Sequence, residues 1–367
     1  MRRADIIAAI RRRMVEEGLD RIVAIHDGTH FIETPNPVMV LSGFKALGAA
    51  AVVLDRDGEL QLVVTPAWDV ERAKEMCPGV GIVAADDAIE GLSSLLGKCA
   101  GTTGIAGIPS AAWRMARRLE ALLPGAKPAD AIVSDAAKAK TADEIANAGE
   151  AARIAEANFA RLLEIAKPGV SEDELAAELR WQSKSLGAED NFLMLCAGPH
   201  NRAVAPSNGR RLQEGDVILA EITPSYRGQL AQICRTVVVG KAPAVLTEKY
   251  ALVVEAMHAG ICAAQPGVPM AEVCRAINTV LEAQGYGEYC YPPHIRRRGH
   301  GLGFASNEPG DVALDNETPL APGMVFMIHP NQYLPETGYL LCGEPVVMTE
   351  RGAEPLTRSY AALAELA

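Results

Sequence analysis

The stretch 212–240, LQEGDVILAEITPSYRGQLAQICRTVVVG, is apolar and β-branched over most of its length and reads as strand. Two ligand-capable side chains stand inside that pattern. Glu221 lies inside VILAEIT, and Gln232 follows eleven residues later, in LAQICRT. A carboxylate carried into an apolar sheet costs several kcal/mol unless it is paired, hydrogen-bonded or bound to a cation.

The same anomaly recurs downstream. His300 stands in RRRGHGLGF, His329 ends the run PGMVFMIHP, and Glu344 stands in LLCGEPVVM. If these strands share a sheet system, their polar side chains converge on one cavity. Gly299, Gly301 and Gly303 around His300 allow close backbone approach, as at a site loop. Arg296, Arg297 and Arg298 read as a solvated charge run, or as a site for an anionic substrate group. His26 and His30 in HDGTH are four apart, but they fall at a strand end and in a loop, which is poor placement for a metal pair.

Composition limits the function. At 367 residues the chain is long for one core, and two domains are the natural expectation. A formal charge of −11 argues against nucleic-acid binding and against docking on anionic membranes. The eight cysteines are scattered without a CxxC pair, which fits reduced thiols of a cytoplasmic protein. No apolar run approaches the roughly 18 residues of a membrane span. The charged N-terminus reads as an amphipathic helix, with Ile6, Ile7, Ile10 and Met14 on its apolar face, rather than as a secretory signal.

Strands alternate with helices over the first 135 or so residues, predicting an α/β layer domain. RIVAI, VMVLSGF and the hairpin AAAVVLDRDGELQLVV read as strands, the last turning at Asp57-Gly58. Thr141 with Glu144, and Ser171 with Glu174, carry capping-box spacing and predict two helix starts. Strands dominate beyond residue 188, with two helices between them. The composition shifts near 135–142, so we expect domains 1–137 and 138–367.

The order of these stretches resembles the creatinase/prolidase/methionine-aminopeptidase family over nearly the whole chain. NPVMVLSGF, the helical segment from 138, LQEGDVILAEITPSYRGQLAQICRTVVVG, GHGLGF, LAPGMVFMIHP and GEPVVMTERGAE carry the resemblance together. It implies an α/β N-terminal domain followed by an α+β pita-bread catalytic domain. Peptidases of that family hold two metal ions with two aspartates, a histidine and two glutamates. By position the resemblance places Glu221, Gln232, His300, His329 and Glu344 on those five ligands. Two further family histidines fall on Val204 and Asn307. Gln232 cannot supply the bridging carboxylate, so a standard two-metal aminopeptidase is not expected.

The reading that follows is a hydrolase of a C–N bond in a small molecule. His300, Glu344 and Glu221 are its catalytic candidates, and one divalent ion (Fe, Mn or Zn) sits on His300, His329, Glu344, Gln232 and Glu221. A metal-free route like that of creatinase is the main alternative, with His300 as acid and base and Glu344 and Glu221 binding substrate. A non-haem iron oxygenase or lyase, an Xaa-Pro dipeptidase and an inactive peptide-binding module are the others. Phe44, Lys45, His200, Asn307 and Arg298 are candidates for substrate contact. The resemblance also implies a homodimer.

Overall fold

Residues 2–96, 101–306 and 308–366 are described by the computed structural model, and the chain divides into two units, Met1–Lys138 and Ala139–Ala367. In the first, α1 (Arg2–Glu16) buries Ile6, Ile10 and Met14, residues that recur every four positions and so share one helical face. Then come β1 (Arg21–His26), α2 (Pro37–Ser42), β2 (Ala50–Asp55), β3 (Leu60–Val64), α3 (Val70–Met76), β4 (Gly81–Ala84) and α4 (Ala88–Leu96). The unit closes with β5 (Thr103–Ala106), α5 (Trp113–Leu122), β6 (Lys127–Pro128) and α6 (Asp130–Lys138). The six strands form one mixed sheet in the order β4-β3-β2-β1-β5-β6. Val23, Ile25, Val53 and Val63 line one face of it and pack against Leu92 and Leu119 from α4 and α5.

One segment departs from the expectation. The run VMVLSGF reads as strand by its side chains, yet most of it forms α2. Local capping decides this. The Asn36 side chain accepts the Met39 N–H at 3.0 Å, and Pro37 occupies the first helical turn. Gly43, left-handed at φ +75°, returns its N–H to the Met39 carbonyl.

The second unit begins with α7 (Ala142–Ile165) and α8 (Glu172–Ser185), each started by a complete capping box at Thr141/Glu144 and Ser171/Glu174. Strands β7 (Asp190–Gly198), β8 (Val217–Tyr226), β9 (Gln229–Leu230) and β10 (Ile233–Val239) follow, then α9 (Ala244–Ala263) and α10 (Met270–Ala283). The chain ends with β11 (Gly299–Gly301), β12 (Val325–Ile328), β13 (Gln332–Leu334), β14 (Gly338–Leu340), β15 (Glu344–Thr349), β16 (Gly352–Pro355) and β17 (Ala364–Leu366). One sheet runs β17-β10-β8-β7, with β9 paired to β8, and a second runs β11-β12-β15-β16.

Strand alternation sorts the side chains of the first of these sheets. Ile218, Ala220 and Ile222 of β8 join Ile233 and Val237 of β10 in a core with Leu162, Leu175 and Leu179 of the two helices. Glu221 and its β10 partner Cys234 therefore take the opposite, inner face. Gln232, two residues before Cys234, shares that inner side.

The two sheets meet at a seam. Cys234 and Gly343 exchange backbone hydrogen bonds of 3.3 and 3.2 Å. Arg235 turns to the helical side and clamps this joint. Its Nη1 donates to the Gly343 and Cys234 carbonyls at 2.8 and 3.0 Å, and its Nη2 lies 2.9 Å from Glu344 Oε1. Thr357 Oγ1 donates to Glu344 Oε2 at 2.6 Å, and the Ala361 N–H donates to Oε1 at 2.7 Å. Arg235 is 1% exposed and Glu344 0%, so neither charge has water to fall back on. Removing one partner of such a pair strands a buried charge and costs about 3–5 kcal/mol. Arg235→Met alone should lose that much in urea unfolding of the chain, and Arg235→Met with Glu344→Leu should regain most of it.

Candidate active site

Directly opposed residues on paired strands share a face, and successive residues alternate. His300 on β11 opposes Met327 on β12, and Met327 opposes Pro345 on β15. His329, two residues past Met327, falls on the same side. The β15-side neighbour of His329 on that face is Gly343: a Cβ built there would stand 2.6 Å from His329 Cβ. Glu344 opposes Ile328, on the other face.

The two histidines meet in a buried setting. Their ring centroids are 5.2 Å apart and tilted by 59°. His300 Nδ1 lies 3.0 Å from the Gly301 carbonyl oxygen. That oxygen can only accept, so Nδ1 carries the proton and Nε2 of a neutral ring keeps its lone pair. His329 is pushed well below the ordinary histidine value, first by burial and then by the charges of His300 and Arg297. It is neutral at pH 7, and its Nδ1 has no hydrogen-bond partner.

More unpartnered polar atoms lie close in the fold. Gln232 Oε1 and Thr223 Oγ1 are buried without partners, and Thr223 is two residues from Glu221 on the same strand face. Asn331 ties the inner surface together: Cys342 N–H donates to its Oδ1 at 3.0 Å, and its Nδ2 lies 3.8 Å from Cys234 Sγ. Burial, and then the Glu221 carboxylate, push the Cys234 thiol upward. Thr223 and Asn331 were not singled out in the sequence. Counting in twos from Glu221 and His329 would have found both.

Several sequence expectations need correction. Glu344 is not an inner-face residue, because strand alternation turns its carboxylate to the helical side, onto Arg235, Thr357 and Ala361. Burial pushes its carboxyl up, and those three partners pull it back. Phe44 is fully buried in the first unit with the Arg72 guanidinium 4.3 Å over its ring, and Lys45 lends its carbonyl to Arg72. That makes Phe44 a packing residue. His200 is exposed on a loop, with Nε2 held 3.0 Å from the Pro335 carbonyl and its ring edge-on to Tyr333, so it does not join the histidine pair. Arg298 is completely buried rather than solvated. His26 and His30 stack at 4.9 Å, and both rings are held by main-chain groups: His26 Nδ1 accepts the Gly28 N–H, and His30 Nε2 lies 2.7 Å from the Ala46 carbonyl. Asn307 lies outside the described residues.

Comparison with known proteins gives the same family. The profile of Metallopeptidase family M24 matches residues 146–350. An Xaa-Pro dipeptidase of Pyrococcus furiosus is 30% identical over 351 residues, covering 94% of this chain and 95% of that one. The chain belongs to metallopeptidase family M24. The solved prolidase from Pyrococcus furiosus superimposes with a TM-score of 0.81 at 27% identity, covering 95% of this chain and 99% of that one. An Xaa-Pro dipeptidase from Bacillus anthracis reaches 0.85 at 24% identity over 99% and 100% of the two chains, a likeness of fold. The family is that of creatinase, prolidase and methionine aminopeptidase, its catalytic domain has the pita-bread fold, and this member is hydrolase-like.

The family name implies metal, and the residues of this chain can be tested against it. A pair of divalent ions needs several anionic ligands, such as bridging carboxylates. Here Gln232 is neutral, His329 is neutral, position 343 is glycine and Glu344 is committed to Arg235. Among the described residues, no three histidine, cysteine, aspartate or glutamate side chains gather to hold a metal ion. The donors do not fit a two-ion centre.

A histidine kept neutral by the fold makes stability depend on pH. With its folded pKa below the unfolded value of about 6.5, the unfolded chain binds the extra proton, so stability is lost as pH falls below that value. His329 should contribute a loss of about 1.4 kcal/mol per pH unit under pH 6.5. His26, lowered to about 4 mainly by burial, adds its own share in the first unit. Urea titrations from pH 7.5 to 5 should show a shallower slope for His329→Asn than for the unaltered chain. Equal slopes would contradict a neutral buried His329.

Proposed function

We propose that this chain hydrolyses a C–N bond in a small molecule, an amide, amidine or N-substituted amino acid, using the buried histidine pair for proton transfer. The observation that carries this reading is the placement of His300 and His329 ring to ring, 5.2 Å apart, on the inner side of a hydrolase fold. His300, oriented by its Nδ1 contact with the Gly301 carbonyl, takes a proton from the attacking water through Nε2. A C–O bond forms as the C–N bond breaks, and the same proton passes to the departing nitrogen. Glu221 and the unpartnered Gln232 Oε1 accept N–H groups of the substrate and hold its carbon before the water. Burial and the neighbouring His300 keep His329 neutral beside it.

A second reading places one divalent ion, Fe, Mn or Zn, on His300 and His329 with Gln232. The unpartnered His329 Nδ1 and Gln232 Oε1 favour it, and such an ion would supply a bound water of lowered pKa. The Xaa-Pro dipeptidase activity named for the Pyrococcus relative is a third possibility, weakened by the missing carboxylates. The seven cysteines among the described residues are free thiols, which supports a cytoplasmic setting, and the homodimer rests on the family resemblance.

Release of ammonia or amine from a panel of small amides, amidines and N-substituted amino acids tests the proposal, run anaerobically beside Xaa-Pro dipeptides. We expect turnover on the panel, kcat reduced about 100-fold or more in His300→Asn, and mainly a raised KM in Glu221→Gln. Turnover confined to Xaa-Pro dipeptides, or dependent on oxygen, would overturn it.

A further inference from the structure

A cavity of about 350 Å³ in the second unit is lined by Arg296, Arg297, Arg298 and Asn278, and by none of His300, His329, Glu221 and Gln232. The three consecutive arginines are in different electrostatic positions. Arg297 is neutralised by Asp311, with Nη1 2.9 Å from Oδ1. Arg296 is exposed at the rim. Arg298 is 0% exposed, and every acceptor it reaches is uncharged. Its Nε donates to Asn278 Oδ1 at 2.7 Å, and its Nη1 donates to Gln332 Oε1 at 2.9 Å and the Asn331 carbonyl at 3.2 Å. Its Nη2 has no partner.

A buried guanidinium without an anion is costly, and native chains relieve that cost with a carboxylate or a ligand. No carboxylate among the described residues bonds to Arg298. The remaining lining separates kinds of anion. Asp311 and Asp315 also border the cavity, so its five charged side chains leave one net positive charge, matched to a monoanion. Ile295, Ala313 and Leu314 supply an apolar wall. Arginine's planar fork pairs well with a carboxylate.

We propose that this cavity binds a small monocarboxylate with a short apolar body, its carboxylate drawn to Arg298 and Arg296 and its hydrocarbon against Ile295 and Leu314. The volume suits a ligand of that size. The idea does not depend on the reaction proposed above, since binding is read without turnover.

Titration calorimetry of the full chain with butyrate tests it, with propylammonium and inorganic phosphate as probes of opposite and higher charge. Saturable butyrate binding at one site per chain is expected, with both other probes weaker. Arg298→Lys should weaken butyrate about tenfold or more, because one ammonium cannot replace the fork. Arg296→Gln, at the exposed rim, should weaken it several-fold without a folding defect. Asp315→Asn should tighten it. Phosphate or propylammonium binding as well as butyrate, or butyrate affinity unchanged in Arg296→Gln and Asp315→Asn, would overturn the proposal.

Discussion

The clamp of Arg235 on Gly343 and Glu344 is the constraint from which the second unit follows. Two separate sheets meet along a short backbone bridge, where ladder hydrogen bonds alone would be few. A guanidinium presents five donors in a fixed plane, and here that plane spans three carbonyls, of Cys234, Gly343 and Ser359, and a carboxylate. Its partner carboxylate, Glu344, is thereby held on the helical side, and the inner side of the seam is left with Glu221 as its one carboxylate among the described residues. The pair is costly to bury, and its worth lies less in net stability than in fixing which residues face inward.

That division of faces explains the chemistry better than a roster of ligand-type residues does. A carboxylate at 344 is close in sequence to where a metal ligand is wanted, yet one residue of offset moves it through the sheet. Gly343 takes the inner position, where a Cβ would stand 2.5 Å from Met327 Cε and 2.6 Å from His329 Cβ, so the strands close up there with no side chain and no charge. With Gln232 also uncharged, the inner surface carries two imidazoles, an amide and a hydroxyl around a single carboxylate, Glu221. Neutral imidazoles suit proton transfer, whereas paired divalent ions want negative charge.

Much of the architecture was legible in the sequence because periodicity and capping are local. The two capping boxes at Thr141 and Ser171, the apolar face of α1 and the hairpin at Asp57-Gly58 all follow from residues within a few positions of each other. The segment 38–44 was misread because its valines promise a strand, while Asn36, Pro37 and Gly43 outweigh them. The site was legible only in part. His300 and His329 stood out as polar residues in apolar runs, and they do meet. The fate of Glu344 was hidden, since it depends on strand register and on Arg235, more than a hundred residues away. Arg298 looked like a solvated charge for a similar reason, because burial by α10 and the 331–332 segment is a tertiary fact.

Metal stoichiometry measures the central claim most directly. The folded chain, equilibrated with excess Mn(II) and freed of unbound ion by gel filtration, should carry no more than one ion per chain by atomic emission. Two tightly held ions per chain would contradict the account, since the inner surface described here lacks the carboxylates to hold them.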